Sequence, residues 1–320
     1  MNIIKKFFRL RESSLIIINL VIIIAMTIIF PNFSSSNNAF GMLYAISVNS
    51  IIAGAMTVLF VSGGFDMAAG ATLGYCGMFV GYLMVDIGLS IPLAILITIL
   101  IGAVIGSIMG YIISYLNINP FVVTLAGWFI IESFIYIIGG GTNKVGFDSS
   151  FALISSFKIL NIPFIIIFAI LCLIIFEVLL RKNVYFRQNY AIGGNEQAAM
   201  LAGIRVKRVK LLNYTMVSAM AAVAGIFLTS RFMAAYSSAG SENAFQIITA
   251  VIIGGASLKG GRGSVLGTFL GLVLMALVYN AFIFFKMDIL WNRIAIGTIL
   301  ILAVIIDVNL QKERTVKLKT

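Results

Sequence analysis

Glu132 and Glu177 are the two carboxylates set well inside apolar runs of this 320-residue chain, with Asp86 and Asp307 at the ends of others. An acid in a low-dielectric setting can hold a proton, a cation or a substrate hydroxyl, and is a functional candidate for that reason. The bland alternative is a carboxylate kept protonated, or bonded to serine and tyrosine neighbours, inside a helical bundle. Asn49, Ser50 and Gln246 add neutral groups that could hydrogen-bond a hydroxylated solute or serve as glue between helices. Asn49, Ser50, Glu132 and Gln246 are therefore the candidate translocation path. The chain has no histidine, and Cys76 and Cys172 lie alone in apolar runs, so no catalytic set, disulfide or metal site is expected.

The elements that must position these groups are apolar helices. Hydrophobic residues make up 61% of the chain, charged ones 10%, and the mean hydropathy is +1.10. A soluble domain is about 25% charged, so this chain lacks the surface to live in water. Apolar runs fall at about 15–30, 39–61, 67–85, 92–116, 121–138, 163–180, 211–229, 244–254, 264–285 and 290–306. They predict an all-α integral membrane protein, a polytopic bundle of about ten transmembrane helices, with residues 1–320 as one domain. Alternating the sides of these runs puts seventeen of the 22 Lys and Arg on one face. Lys144, Lys158, Arg231, Lys286 and Arg293 fall on the other. That bias makes both termini cytoplasmic. The net charge of +11 then reflects topology and attraction to anionic membrane lipid, and a nucleic-acid partner is not expected. The basic start and apolar run 15–30 lack a small-x-small cleavage site and read as an uncleaved first helix.

Glycines recur at helical spacing in three places: Gly70, Gly74, Gly77 and Gly81; Gly102, Gly106 and Gly110; Gly263, Gly267 and Gly271. Such stripes let helices approach backbone to backbone in lipid. Runs 67–85 and 244–254 are short or glycine-broken and follow or precede similar turns, GGFDMAAGATLG at 63–74 and GGASLKGGRGSVLG at 254–267. Interrupted segments in comparable positions point to a transport path. The second turn is not a phosphate loop, because Lys259 precedes Gly260-Gly261 instead of following the last glycine. ATP-driven work would therefore need another polypeptide.

The longest cytoplasmic stretch runs from about 181 to 210, and a basic tail occupies 308–320. Asn195 can cap a short helix, Glu196 suits its N-terminal end, and Gly203 supplies a left-handed stop. Such a helix suits docking into a partner's groove, or resting on lipid beside the basic run 205–210.

Four segments carry a family resemblance: GGFDMAAG at 63–70, NPFVVTLAG at 119–127, YAIGGNEQAAMLAGI at 190–204 with AGIFLTSR at 224–231, and AVIIGGASLKGGRGSVLGTFLG at 250–271. They resemble the permease subunit of ABC importers of the ribose and galactose type. The resemblance implies a permease of a prokaryotic cytoplasmic membrane, with no enzyme activity or cofactor of its own. Its partners would be an ABC ATPase that binds the ATP, an extracytoplasmic solute-binding protein, and a second permease copy, identical or paralogous. It makes Gly193, Gly194, Asn195, Glu196, Ala199 and Gly203 part of the segment that couples to the ATPase. On that basis Ala199→Trp should leave the chain folded but uncoupled. Glu132 departs from the family, standing where such permeases often carry arginine. The expected cargo is a monosaccharide such as ribose or a similar polyhydroxylated solute. The alternatives are a nucleoside or quorum-signal permease, and an ion-coupled carrier working through Glu132.

Overall fold

The computed structural model describes residues 11–317. Lys5, Lys6, Arg9 and Lys319 of the charge map lie outside the described residues. Each apolar run is helical. In chain order the helices are α1 (Arg11–Ile29), α2 (Ser36–Val61), α3 (Ala69–Gly81), α4 (Ile91–Tyr115), α5 (Pro120–Gly139), α6 (Leu153–Ser156) and α7 (Phe164–Lys182). There follow α8 (Val184–Gly194), α9 (Glu196–Leu201), α10 (Val206–Phe232), α11 (Asn243–Ile253), α12 (Val265–Phe284) and α13 (Ile289–Lys317). A two-residue hairpin, β1 (Lys158–Ile159) with β2 (Ile162–Pro163), pairs antiparallel ahead of α7. The tail expected at 308–320 continues α13 as helix to Lys317.

Ten helices thus stand at the ten runs, and seven of them have the length and composition to cross a membrane: α1, α2, α4, α5, α7, α10 and α12. The exposed side chains agree with a lipid solvent. Leu96, Leu100, Val104 and Ile108 form an exposed apolar stripe along α4, and Phe129, Ile130 and Ile137 do the same on α5. α3 and α11 are interrupted, with 13 and 11 residues. α3 follows the turn at Gly63, whose φ of +81° favours glycine, and runs into a π turn at Tyr82–Asp86. α11 stops where Gly254 meets the backbone of Gly267 on α12, since a Cβ at Gly254 would fall 2.4 Å from the Gly267 carbonyl carbon.

α2 is the central helix, buried continuously from Ile46 to Val61. Around it α10 packs on α4, α3 and α2, while α7 covers α2's other flank. The glycine stripes lie on these seams. A Cβ at Gly106 would sit 2.5 Å from the Tyr214 carbonyl oxygen of α10, and one at Gly77 would meet Thr229 Oγ1 at 2.7 Å. Gly70 and Gly74 face backbone of Gly240 and Ala239, just ahead of α11, and Gly81 faces Phe147. Gly102 and Gly110 also abut α10; Gly267 and Gly271 abut Gly254 and Ala250, and Gly263 abuts Val61.

Glu177 has a structural role that the sequence did not disclose. Its Oε2 accepts from the Val265 backbone N–H at 2.7 Å, capping the first turn of α12 from the neighbouring helix α7, and its other oxygen pairs with Arg181. Asp307 on α13 accepts from Ser257 Oγ and the Leu258 N–H, at 3.5 and 3.4 Å. Asp86 pairs with Lys144. Three of the four intramembrane or span-end acids therefore bind partners within the fold.

Candidate functional site: a polar cavity and a glycine junction

The N-terminal end of α11 opens on a cavity of about 660 Å³. α2 presents Asn49 to it and α11 presents Asn243 and Gln246, three amides on two helices. Asn243 Nδ2 donates to Asn49 Oδ1 at 2.6 Å, and Asn49 Nδ2 donates to Gln246 Oε1 at 3.0 Å. This ladder fixes the orientation of all three amides, leaving further donors and acceptors for a solute. Glu242, at the head of α11, pairs with Arg293 of α13 at 2.6 Å on the cavity rim. Arg231, near the end of α10, lies 3.9 Å over the ring of Tyr44 and also lines the cavity. Tyr236, Tyr279 and serines 238 and 241 supply hydroxyls, and Leu272 with Met275 an apolar floor. Aromatic and aliphatic surface with a few convergent polar groups is the usual make-up of a small-solute site.

Of the expected path residues, Asn49 and Gln246 meet here. Ser50 is buried in the core and does not line the cavity. Glu132 lies half-exposed on α5, outside the cavity lining; it is Trp128, one turn earlier, that packs edge-on against Phe245 of α11 at 5.4 Å. Sequence reading passed over Asn243, Glu242, Arg231 and Arg293. Glu242 and Asn243 sit immediately before the short run at 244, a usable signal. Arg231 and Arg293 show in the sequence only as charges on the minority side.

At the other end of α2 and α11 the chain forms a junction of glycines. The turn after α11 reaches back so that the Gly261 N–H donates to the Val61 carbonyl at 2.8 Å, joining the feet of α2 and α11. Gly193 of α8 lies against this bond: a Cβ there would fall 2.0 Å from Val61 O and 2.3 Å from Gly261 N. Gly260, at φ +85°, would carry a Cβ 2.7 Å from the Gly193 Cα and 2.7 Å from the Gly63 nitrogen. Tyr190 Oη donates to the Gly263 carbonyl at 2.8 Å. Beneath it, buried Asn213 donates to Asn189 Oδ1 at 2.7 Å and to Ser62 Oγ at 3.1 Å, tying α10, α8 and the end of α2 together.

The rest of the 190–204 segment has the local logic expected of it. Asn195 Oδ1 accepts from the Ala198 N–H at 3.0 Å, Glu196 pairs with Lys210 at 2.6 Å, and Gly203 takes φ +84°. Gly194 has nothing within 4 Å of a built Cβ. Ala199 does not face outward, so Ala199→Trp would not leave the chain folded. It is buried with Ile192, Val206 and Val209, so a tryptophan would break α9's packing before it touched any partner. The exposed large apolar side chains are Met200 and Leu201, the latter 92% exposed, beside exposed Glu196 and Gln197.

Asp66, in the turn between α2 and α3, is wholly buried. One oxygen accepts from the Ala68 N–H at 2.8 Å and the other has no hydrogen-bond partner among the described residues. Burial pushes its carboxyl up to about 7, against the pull of the backbone N–H groups of Ala68 and Ala69.

The family model described as the permease component of the branched-chain amino acid transport system matches residues 38–304. The chain is 33% identical to the ribose import permease protein of Bacillus subtilis over 289 residues, 90% of this chain and 89% of that one. It is 34% identical to the L-arabinose transport system permease protein of Escherichia coli over 307 residues, 95% and 93% of the two chains. The ribose import permease protein of Escherichia coli is 30% identical over 93% of this chain and 94% of its own. No solved structure matches.

Proposed function

The chain belongs to this permease-component family and is similar to a ribose import permease protein and an L-arabinose transport system permease protein, and on that premise we propose that it carries a monosaccharide such as ribose across a prokaryotic cytoplasmic membrane. The observation that carries the reading is the amide ladder Asn243–Asn49–Gln246 on the wall of the cavity at the head of α11. A sugar offers hydroxyls that both donate and accept, and primary amides answer both. An interrupted helix whose N-terminal end meets a cavity is a recurrent way to present polar groups within a bundle.

In this reading ATP is bound and hydrolysed by a partner ATPase that docks on Met200 and Leu201 of α9, and an extracytoplasmic binding protein delivers the solute. A second permease copy completes the pathway, and both termini face the cytoplasm. The basic residues 205–210 then lie beside the docking helix, within reach of anionic lipid. Arg231 and Arg293, at the cavity, belong to the opposite, extracytoplasmic face of the charge map. The path residues Ser50 and Glu132 lie off the cavity, so an ion-coupled carrier working through Glu132 draws no support from this geometry.

The test is purification of the tagged chain from native membranes in mild detergent, with identification of co-purifying proteins and an uptake assay with radiolabelled ribose, arabinose and a nucleoside. Recovery of an ATPase and ATP-dependent uptake of a sugar is expected. Uptake abolished by a protonophore, with no ATPase recovered, would refute the reading.

A further inference from the structure

Between α4 and α5 lies a second cavity, a groove of about 550 Å³ that takes no part in the solute site. The two helices are joined by residues 116–119, yet α5 packs on α3 and α4 packs on α10, so their facing flanks diverge. Ile112 and Ile118 stand at one end of the groove, Ile101 and Phe134 at the other. Apart from Tyr75 every lining residue is apolar, so a sugar placed there would leave its hydroxyls unpaired. From Ile101 to Ile112 the groove runs about 16 Å along α4, half of a hydrocarbon core roughly 30 Å thick. That is the depth of one leaflet, and so the reach of one acyl chain. A helix of a second copy would need a seam across the whole bilayer.

Charge marks the end at Ile112. Tyr115 continues the face of α4 that carries Ile108 and Ile112. Its ring stacks on that of exposed Tyr111 with centroids 5.1 Å apart, and Lys207 Nζ of α10 lies 5.7 Å from its centre. Tyrosines belong at the boundary between hydrocarbon and headgroups. Lys210 is held by Glu196, whereas exposed Lys207 pairs with no carboxylate among the described residues. Arg205 and Arg208, on either side of it in the chain, are exposed as well.

We infer that this groove holds one acyl chain of an anionic phospholipid, in the leaflet at the basic end of the bundle, with the lipid phosphate at Lys207. The chain covers the apolar flanks that α4 and α5 do not bury on each other, and the phosphate supplies the counter-charge that Lys207 lacks. Held near the Tyr115 ring, the ammonium keeps N–H donors for phosphate oxygens. The groove alone would take any chain, and the basic run alone would draw any anionic headgroup; together they select one lipid class. Such a site requires only that the chain span a bilayer, whatever it carries.

The test is photolabelling of the full chain, with the proteins that accompany it, in vesicles of phosphatidylethanolamine. These contain a small share of phosphatidylglycerol with a diazirine at the end of one acyl chain, or phosphatidylcholine bearing the same chain. Label from phosphatidylglycerol should concentrate on peptides of residues 101–134 and exceed that from phosphatidylcholine about fivefold, the factor that one lysine near a headgroup contributes. Lys207→Gln should remove the preference. Lys182→Gln, which takes the same charge from the end of α7, should keep it. Ala126→Trp fills the groove from an exposed position on α5 and should shed label from both lipids. Equal labelling by the two lipids, a preference that survives Lys207→Gln, or full label on Ala126→Trp would overturn the inference. So would a Val122→Cys chain that cross-links to a second copy in the same vesicles, because the groove would then be a seam between copies. Absence of ATP-driven uptake with the labelling intact would count against the transport reading alone and leave the lipid site standing.

Discussion

Replacing Glu177 tests whether a carboxylate inside an apolar run is structural or chemical. In the structure it receives the Val265 N–H at the start of α12, and its side chain is 20% exposed. A hydrogen bond to a charged acceptor contributes about 1.5–3 kcal/mol, and a negative charge at a helix N-terminus about 0.3–1 kcal/mol. The pair with Arg181 adds about 0–1 kcal/mol, since that guanidinium is 61% exposed and returns to water when freed. Glu177→Ala should therefore cost roughly 2–5 kcal/mol. Glu177→Gln keeps an acceptor and loses only the charge-assisted part, about 1–2 kcal/mol. Unfolding of the detergent-solubilised protein and hydrogen exchange across residues 264–268 read the two variants. Faster exchange should be confined to the first turn of α12, graded Ala over Gln. Solute uptake per inserted molecule should be unchanged in Glu177→Gln. Wild-type exchange in Glu177→Ala, or Gln as damaging as Ala, would refute the capping role.

Three further outcomes are expected. Gly106→Ala drives a methyl to 2.5 Å from Tyr214 O and should cost about 1–3 kcal/mol, whereas Gly194→Ala meets nothing within 4 Å and should be neutral; equal thermal midpoints in detergent would contradict the packing account. Leu201→Ser should leave expression intact and reduce recovery of the ATPase, while Ala199→Trp should depress expression itself; membrane yield and co-purification separate the two. The third concerns pH. The carboxyl of Asp66 is raised from 3.8 to about 7, so between those values the folded protein keeps a proton that the unfolded chain has released. Its stabilising contribution is complete below about pH 4 and is lost as pH rises through about 7. Asp66→Asn should flatten that part of the unfolding midpoint against pH; an unaltered slope would show that another group is responsible.

The helices were legible because burial in lipid demands long apolar runs, and every run of the sequence coincides with a helix. The interruption of α3 and α11 was legible too, since Gly63-Gly64 and Gly254-Gly255 leave too few apolar residues for a full crossing. Partner choice was not. Nothing in the spacing of Asn49 and Asn243 reveals that residues 194 apart share a hydrogen bond, because register between helices is set by tertiary packing. Glu177 misled for the same reason. Its burial was visible, but the backbone N–H that satisfies it belongs to a helix 88 residues away. Ala199 shows the limit of local reading: a good helix former next to a capping asparagine says nothing about which way its methyl points.

The shortness of α11 bears on how the chain is held in the bilayer. Eleven residues of helix reach about 16 Å, roughly half the hydrocarbon thickness, and cannot halt in the membrane alone. α12 follows after the turn of residues 254–264 and lies back to back with α11, Gly267 on Gly254 and Gly271 on Ala250. The two therefore form one helical hairpin in which the short arm is buried against the long one. The other flank of α11 lies on α2, made earlier in the chain, so α11 is held in the bilayer by contact with two neighbours instead of by its own length, and the bonds of Asn243 and Gln246 to Asn49 are part of that hold.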